Sequence, residues 1–468
     1  MKSNDDNDGI RLDGHEHIYH NNNRNPSIED IENAAKVLKS YNINKTPLKK
    51  SNTFSKVIGS NIYLKNESLQ ATGTFKIRGA LYKIDKIIKE QKVKINKSNS
   101  SSSSSNNTSS GNSSSGCETS LGIIAASAGN HAQGVALASK MNNLPCTIVM
   151  PAEAPTSKIA ATKSYGAKVI LEGEDYDDSL LLSKKIAEDE NLFQIHAYDD
   201  YDVIAGQGTV GLEILEDLPD VDEVYVPIGG GGLASGIAIA IKTRKPNVKI
   251  IGVESEAYPA MKQSLEKGYA HTVKKGNTIA DSISIKSPGS LTFKILREYL
   301  DETVLVDDVS IVKTMFLLME REKLVIEPAG AAALAYLLKS SGSDVDKDND
   351  GIRNNTCKNT LQKNVVALLS GGNVDMYLLG QVVSKGLMQS GRLFKIFVKL
   401  HDKPGAFKSI LDSIVDLRIN IVEVSHDRLS PNIPPGMAGV SLSLEMEDES
   451  YAERLVSLLI EKGVDFTI

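Results

Sequence analysis

A chain of 468 residues, 41% apolar and 24% charged, has room for two or three domains and the composition of an ordinary soluble globular protein. Its net charge of −6 and the lack of any Lys/Arg cluster argue against a nucleic-acid surface, and no apolar run approaches the roughly 20 residues of a membrane span. Three distant cysteines, Cys117, Cys146 and Cys357, show neither metal-ligand spacing nor a disulfide framework, and the polar, acid-containing N-terminus is no leader, so the expected location is the cytoplasm.

Residues 1–26 read as a polar, disordered tail, with His15, His17 and His20 part of it rather than a metal cluster. Ser68 to Ala80 (SLQATGTFKIRGA) places Lys76 after a Gly-Thr turn, between Phe75 and Ile77, at the entry to a helical pattern. Ser98 to Gly116 is almost pure Ser and Asn and is set aside as a low-complexity insert. The apolar run Leu121–Ala126 leads into SAGNHAQG, with Ser127, Asn130 and His131 at a helix start. Short buried strands follow at Cys146–Met150, Lys168–Leu171, Val224–Pro227, Lys249–Glu254 and Asn364–Ser370, separated by helices that include 132–140, 157–165 and 291–299. Near-continuous apolar strands with helical crossovers predict parallel α/β sheet covered on both faces. A second insert, 340–359, contains DKDNDG (Asp346–Gly351), the opening of a calcium loop whose closing glutamate is replaced by Cys357.

From Arg392 the pattern changes. Phe394, Ile396, Val398 and Leu400 alternate, Phe407, Ile410, Leu411 and Ile414 recur at helical spacing, and Val440, Leu442, Leu444 and Met446 alternate with Ser or Glu. With Ile419–Val424, a second helix around Leu455 and Leu459, and a last strand at 464–468, the order is βαββαβ. This unit, 392–468, contains no nucleophile–base pair and reads as regulatory.

Four consecutive glycines, Gly229–Gly232, between an apolar strand and a helix present bare N–H groups at a positive helix terminus, a seat for phosphate; a tight βα turn is the plainer alternative. Lys76 in apolar company can lose its charge and attack an aldehyde, although an isolated lysine is commonly a solvated helix residue. The Ser127–His131 segment suits a carboxylate, or is simply an N-capped helix. Ser370 presents a hydroxyl at a strand end. An amine, a phosphate cradle and a carboxylate seat on one framework point to pyridoxal phosphate.

TGTFKIRGA, SAGNHAQG, PIGGGGLASG and LSGGN, in this order, resemble the fold-type II pyridoxal-phosphate enzymes, most closely the serine/threonine dehydratases (ammonia-lyases). PAEAPTSKIAATKSYGA, VIAGQGTVGLEI, TIADSISIKSPGSLTF and VIEPAGAAALA are further matches, and the part from Arg392 resembles an ACT domain. The resemblance implies an α/β catalytic domain of two parallel-sheet subdomains over 27–390, and a regulatory ACT domain over 392–468. Lys76 would form the Schiff base, with Phe75 against the cofactor ring. Gly229, Gly230, Gly231, Gly232 and Leu233 would hold the phosphate, Asn130 the ring hydroxyl and Ser370 the pyridine nitrogen. Ser127, Asn130 and His131 would receive the substrate carboxylate. The implied reaction is deamination of threonine, with serine as a second substrate.

Serine racemases share this framework, but Ala128 stands where they carry a proton-donating serine. Their divalent-ion site is matched by Glu254 but not at Ala260, so no metal is expected. Ser282 replaces an expected glycine and would narrow the substrate pocket. Asp402, Gly405 and Asn420 are the candidate effector residues, where paired ACT domains commonly hold a small amino acid such as isoleucine or valine; a dimerisation module without ligand is the plainer alternative. A homodimer or tetramer is expected because ACT domains pair. An amino-acid-binding regulator without catalysis is the reading from another class, and the intact Lys76, glycine quartet and Ser370 oppose it.

Overall fold

The structure, a computed structural model, describes residues 25–101, 121–342 and 362–468, with the side chains of 95–101 left undescribed. The three tail histidines, Cys117, Cys357, the DKDNDG segment and most of both inserts lie outside the described residues. At the edges of the inserts, backbone helix runs on to Ser101 and to Ser341.

In chain order the described strands are β1 (Leu48–Ser51), β2 (Asn61–Asn66), β3 (Ile123–Ala126), β4 (Cys146–Met150), β5 (Lys168–Leu171), β6 (Phe193–Gln194), β7 (Glu223–Pro227), β8 (Lys249–Ser255), β9 (Glu302–Val306) and β10 (Asn364–Leu369). The C-terminal unit adds β11 (Leu393–His401), β12 (Asn420–Asp427), β13 (Met437–Glu445) and β14 (Asp465–Thr467). Three sheets result, ordered β1-β2-β10-β7-β8-β9, β5-β4-β3-β6 and β12-β13-β11-β14. The first is parallel except for the edge strand β1, and the second is wholly parallel.

The apolar runs account for this arrangement. In β10, Val365, Ala367 and Leu369 face one core while Val366 and Leu368 face another, so every position from Val365 on is buried and helices must cover both sides. β1 escapes that requirement: Lys49 and Lys50 point outward on a free edge, where charge discourages pairing with another strand. The smaller sheet divides in the same way, with Ile123 and Ala125 on one side and Ile124 on the other.

The third sheet is antiparallel and buries one face only. Ile396, Val398, Val440, Leu442 and Leu444 form its core with Ile410, Ile414, Leu455 and Leu459 of the helices Lys408–Asp416 and Glu449–Glu461. The βαββαβ order read from the alternation is the order found. Its first strand follows the helix Met376–Gln389, and Arg392 pairs with Glu320 of the preceding unit.

The helix Tyr201–Asp217 is fixed against two others by glycines. A Cβ on Gly206 would stand 2.6 Å from Cα of Gly79, and one on Gly236 would stand 2.5 Å from the backbone nitrogen of Gly208. Only bare backbone allows helices to approach this closely. The GQG motif therefore packs the helix Tyr201–Asp217 between the helices that begin at Lys76 and at Gly232.

Candidate active site

Parallel α/β sheets collect their loops at the carboxyl ends of the strands, and three segments meet there. Gly229–Gly232 follows β7, Ser370 follows β10, and Lys76 is the first residue of its helix. The loop before Lys76 is stitched to the loop after β10: Gly372 N–H donates to Gly73 C=O at 2.9 Å and Phe75 N–H to Ser370 C=O at 3.4 Å. Two stretches almost 300 residues apart are thereby held side by side. Lys76 Nζ donates to the carbonyl of Ala197 at 3.0 Å and lies 5.2 Å from the centre of the Phe75 ring.

One cavity is lined by Phe75, Lys76, Asn130, the four glycines, Leu233 and Ser370 together. Gly231 has φ +94° and starts the helix Gly232–Arg244 with no side-chain cap, leaving that terminus to backbone donors. The glycines have a second reason to be bare. A Cβ on Gly230 would stand 2.3 Å from the ring of Tyr198, so the loop is pressed against that ring as well as against the cavity.

Burial lowers the Lys76 amine to about 8, partly offset by the nearby carboxyl of Glu327. Burial raises Glu327 to about 7, and the amide of Asn130 opposes that rise. Both Glu327 oxygens accept from Asn130 Nδ2, at 2.8 and 2.9 Å, while Asn130 Oδ1 accepts from Asn373 Nδ2 at 3.0 Å. The direction of the lysine shift gives a testable consequence, because only the neutral amine reacts. In protein stripped of small molecules, reductive methylation of Lys76, read by peptide mass across pH, is expected to have its midpoint near 8. A midpoint near the ordinary 10.5 contradicts the burial argument.

Several expectations change on contact with the geometry. Ser127 does not cap the helix Asn130–Met141; its Oγ accepts from Gly129 N–H at 3.1 Å, and Gly129 is the N-cap with no side-chain bond. His131 Nε2 pairs with Ile195 C=O at 3.0 Å, its Nδ1 is buried without a hydrogen-bond partner among the described residues, and burial lowers the ring to about 3, so it is neutral. In the C-terminal unit, Asn420 pairs with Glu445 at one end of β13, whereas the Asp402 turn follows His401, which pairs with Met437 at the other end. One chain therefore does not bring Asp402 and Gly405 to Asn420. Glu254, weighed as a metal ligand, spends both oxygens on Met261 N–H at 2.7 Å and Lys262 N–H at 2.8 Å, at the start of the helix Ala260–Lys267.

Glu327, Tyr198 and Ser282 are among the cavity residues to which the sequence assigns no role there or one of another kind. Glu327 precedes Pro328 at a helix start, and a lone carboxylate in the apolar VIEPAGAAALA was the available signal. Tyr198 offered none. Ser282, expected to narrow the pocket, does line it and also accepts from Asn130 Nδ2 at 3.2 Å.

Residues 39–349 match the family described as pyridoxal-phosphate dependent enzymes. Among curated relatives, the L-threonine ammonia-lyase of Thermotoga maritima is 41% identical over 444 residues, covering 94% of this chain and 99% of that one. Maize serine racemase superposes with a TM-score of 0.64 at 31% identity, over 78% of this chain and 99% of that one. Threonine deaminase isoform 2 of Solanum lycopersicum gives 0.62 at 30% identity, over 77% and 94%.

Proposed function

The chain belongs to the pyridoxal-phosphate dependent enzymes, and from that premise we propose that it is a threonine ammonia-lyase, converting L-threonine to 2-oxobutanoate and ammonia, with L-serine to pyruvate as a second activity. The observation that carries the reading is the convergence of a neutralisable lysine, an uncapped glycine-rich helix terminus and a strand-end serine in one cavity.

These residues fit the cofactor. Leu233 and the glycine N–H groups would take its phosphate, Ser370 the pyridine nitrogen, Asn130 the ring hydroxyl, and Phe75 the ring face. When bound, pyridoxal phosphate supplies the electron sink that makes the substrate Cα–H acidic. Lys76 would hold the cofactor by its amine, and the same amine, when free and neutral, would take the Cα proton on Nζ. Returned from Lys76, that proton can accompany the departing β-hydroxyl. Ser370 offers a neutral hydroxyl rather than a carboxylate, so it would not keep the pyridine nitrogen protonated, which would limit electron withdrawal and favour loss of the β-substituent.

Racemisation requires a second proton donor across from Lys76, and Ala128 has no proton to give. Residues 27–390 form the catalytic unit in this reading. Residues 392–468 form an amino-acid sensor whose site requires two copies of the unit, consistent with a homodimer or tetramer. The cytoplasm is its proposed location; no helix among the described residues is long and apolar enough to cross a membrane.

Initial rates of 2-oxo acid formation from L-threonine and L-serine test the activity directly, and its absence from both would overturn it. Ser282 offers a finer test. Because its hydroxymethyl lines the cavity, Ser282→Gly is expected to raise kcat/KM for threonine relative to serine by about 10-fold, the scale of one methylene in a pocket. An unchanged ratio would show that Ser282 does not touch the substrate side chain.

A further inference from the structure

We propose that Lys158 binds the carboxylate of the amino-acid substrate, exchanging Asp281 for it. The inference rests on the ammonia-lyase reading. The three residues expected to receive the carboxylate carry no charge: Ser127 and Asn130 are neutral by nature, and His131 is neutral because it is buried. A second cleft lies beside the Lys76 cavity and shares Glu327 with it. Among the described residues lining the two, Lys76 and Lys158 are the only cations. Lys76 is committed to the cofactor, which leaves Lys158.

Its position fits the task. Lys158 lies in the helix Thr156–Ser164, and its ammonium stands 3.8 Å from where a Cβ on Gly129 would be, one residue before Asn130. Gly129 begins a helix without a side-chain cap, so an ammonium and a positive helix terminus face the same point. An anion between them relieves both. Lys158 and Lys76 each act electrostatically on the buried Glu327, which sets both ammonium groups about one carboxyl. The present partner is easily exchanged: the Asp281 side chain is 58% exposed against 21% for Lys158, so water screens the pair.

Because the Lys158–Asp281 pair also links the smaller sheet's helices to the larger unit, a purely structural latch is the competing account. The two differ in symmetry. A latch loses as much from Asp281→Asn as from Lys158→Met, and the double variant is no worse than either. A carboxylate ligand is needed on the lysine side only.

The experiment measures, for the pyridoxal-phosphate-loaded protein, the apparent Kd of L-threonine from the change in cofactor absorption, alongside KM and kcat. Lys158→Met is expected to weaken both binding constants by about 10- to 150-fold, the worth of a charge-assisted hydrogen bond, with kcat within about threefold. Asp281→Asn should leave them unchanged or tighter, and Lys158→Arg should restore most of the loss. The amino alcohol threoninol, which has no carboxylate, should bind the wild type and Lys158→Met alike. Equal losses in the Met and Asn variants, or a Kd indifferent to Lys158, would overturn the proposal. A wild type that binds threonine through Lys158 yet releases no oxo acid would instead sink the ammonia-lyase reading and leave the carboxylate site standing.

Discussion

Replacing Lys76 by alanine is expected to lower kcat/KM for L-threonine by about 10³-fold or more, and to abolish the yellow colour of the loaded protein. In the proposed mechanism one nitrogen performs two tasks, anchoring the cofactor and moving the Cα proton, so a single truncation removes both. The effect should be local. Lys76 Nζ makes its hydrogen bond to one backbone carbonyl, and among the described residues it takes part in no ion pair. Lys76→Arg should be as inactive as alanine, because a guanidinium stays protonated where burial brings the lysine amine down to about 8. Activity of either variant within tenfold of wild type would show that another group supplies the amine. Rates are to be measured with cofactor in excess, so that weakened binding is not mistaken for lost chemistry.

The largest effect on stability is expected two residues further on. Arg78 is buried, with Nε 2.8 Å from Glu67 and Nη1 2.6 Å from Glu213; Lys65 Nζ, also buried, lies 2.6 Å from Glu213. Two cations and two carboxylates balance in this cluster, and it ties the start of the Lys76 helix to the segment after β2. Arg78→Met leaves Glu67 buried with only Lys65 and the Thr46 hydroxyl to compensate it. Breaking one side of such a pair costs about 3–5 kcal/mol, to be read from the urea midpoint.

The sign with pH follows from Glu67. Burial raises its pKa, but Arg78 and Lys65 outweigh burial and hold it below the ordinary 4.5 in the folded protein. Its contribution is present above 4.5 and is lost as pH falls through the depressed folded value. In the variant Glu67 loses the group that depresses it, so the gap between variant and wild type should narrow on acidification. Adding Glu67→Gln to Arg78→Met should recover part of the loss, because it removes the stranded charge. A loss below 1 kcal/mol, unchanged with pH, would mean that water reaches the cluster.

The sequence carries those parts of the site that depend on local pattern. β4 and β5 fall on the strands predicted at Cys146–Met150 and Lys168–Leu171, because short apolar runs bounded by turns have little else to become. Gly229–Gly232, Lys76 and Ser370 could be placed on one ligand since each follows or precedes such a run. Val440, Leu442 and Leu444 alternate so strictly that the third sheet could be read with its faces assigned.

What escaped depends on contacts between distant segments. Nothing near Tyr198 shows that its ring will lie under Gly230, nor does Glu327 show that it will meet the amide of Asn130, 197 residues away. Ser127 and Asn130 are good capping residues, yet Gly129 takes the cap. β1 and β6 are too short or too polar to carry a period. The separation of Asp402 from Asn420 is set by the register of β11 and β12 on β13, which composition does not encode.

The account stands most directly on the fate of the substrate carbon skeleton. The loaded protein should be incubated with L-threonine, and 2-oxobutanoate, ammonia and the Cα epimer of threonine quantified in the same samples. Elimination predicts 2-oxobutanoate and ammonia in equal amounts with no epimer. Accumulation of the epimer without ammonia would contradict the ammonia-lyase reading and require a second proton donor besides Lys76.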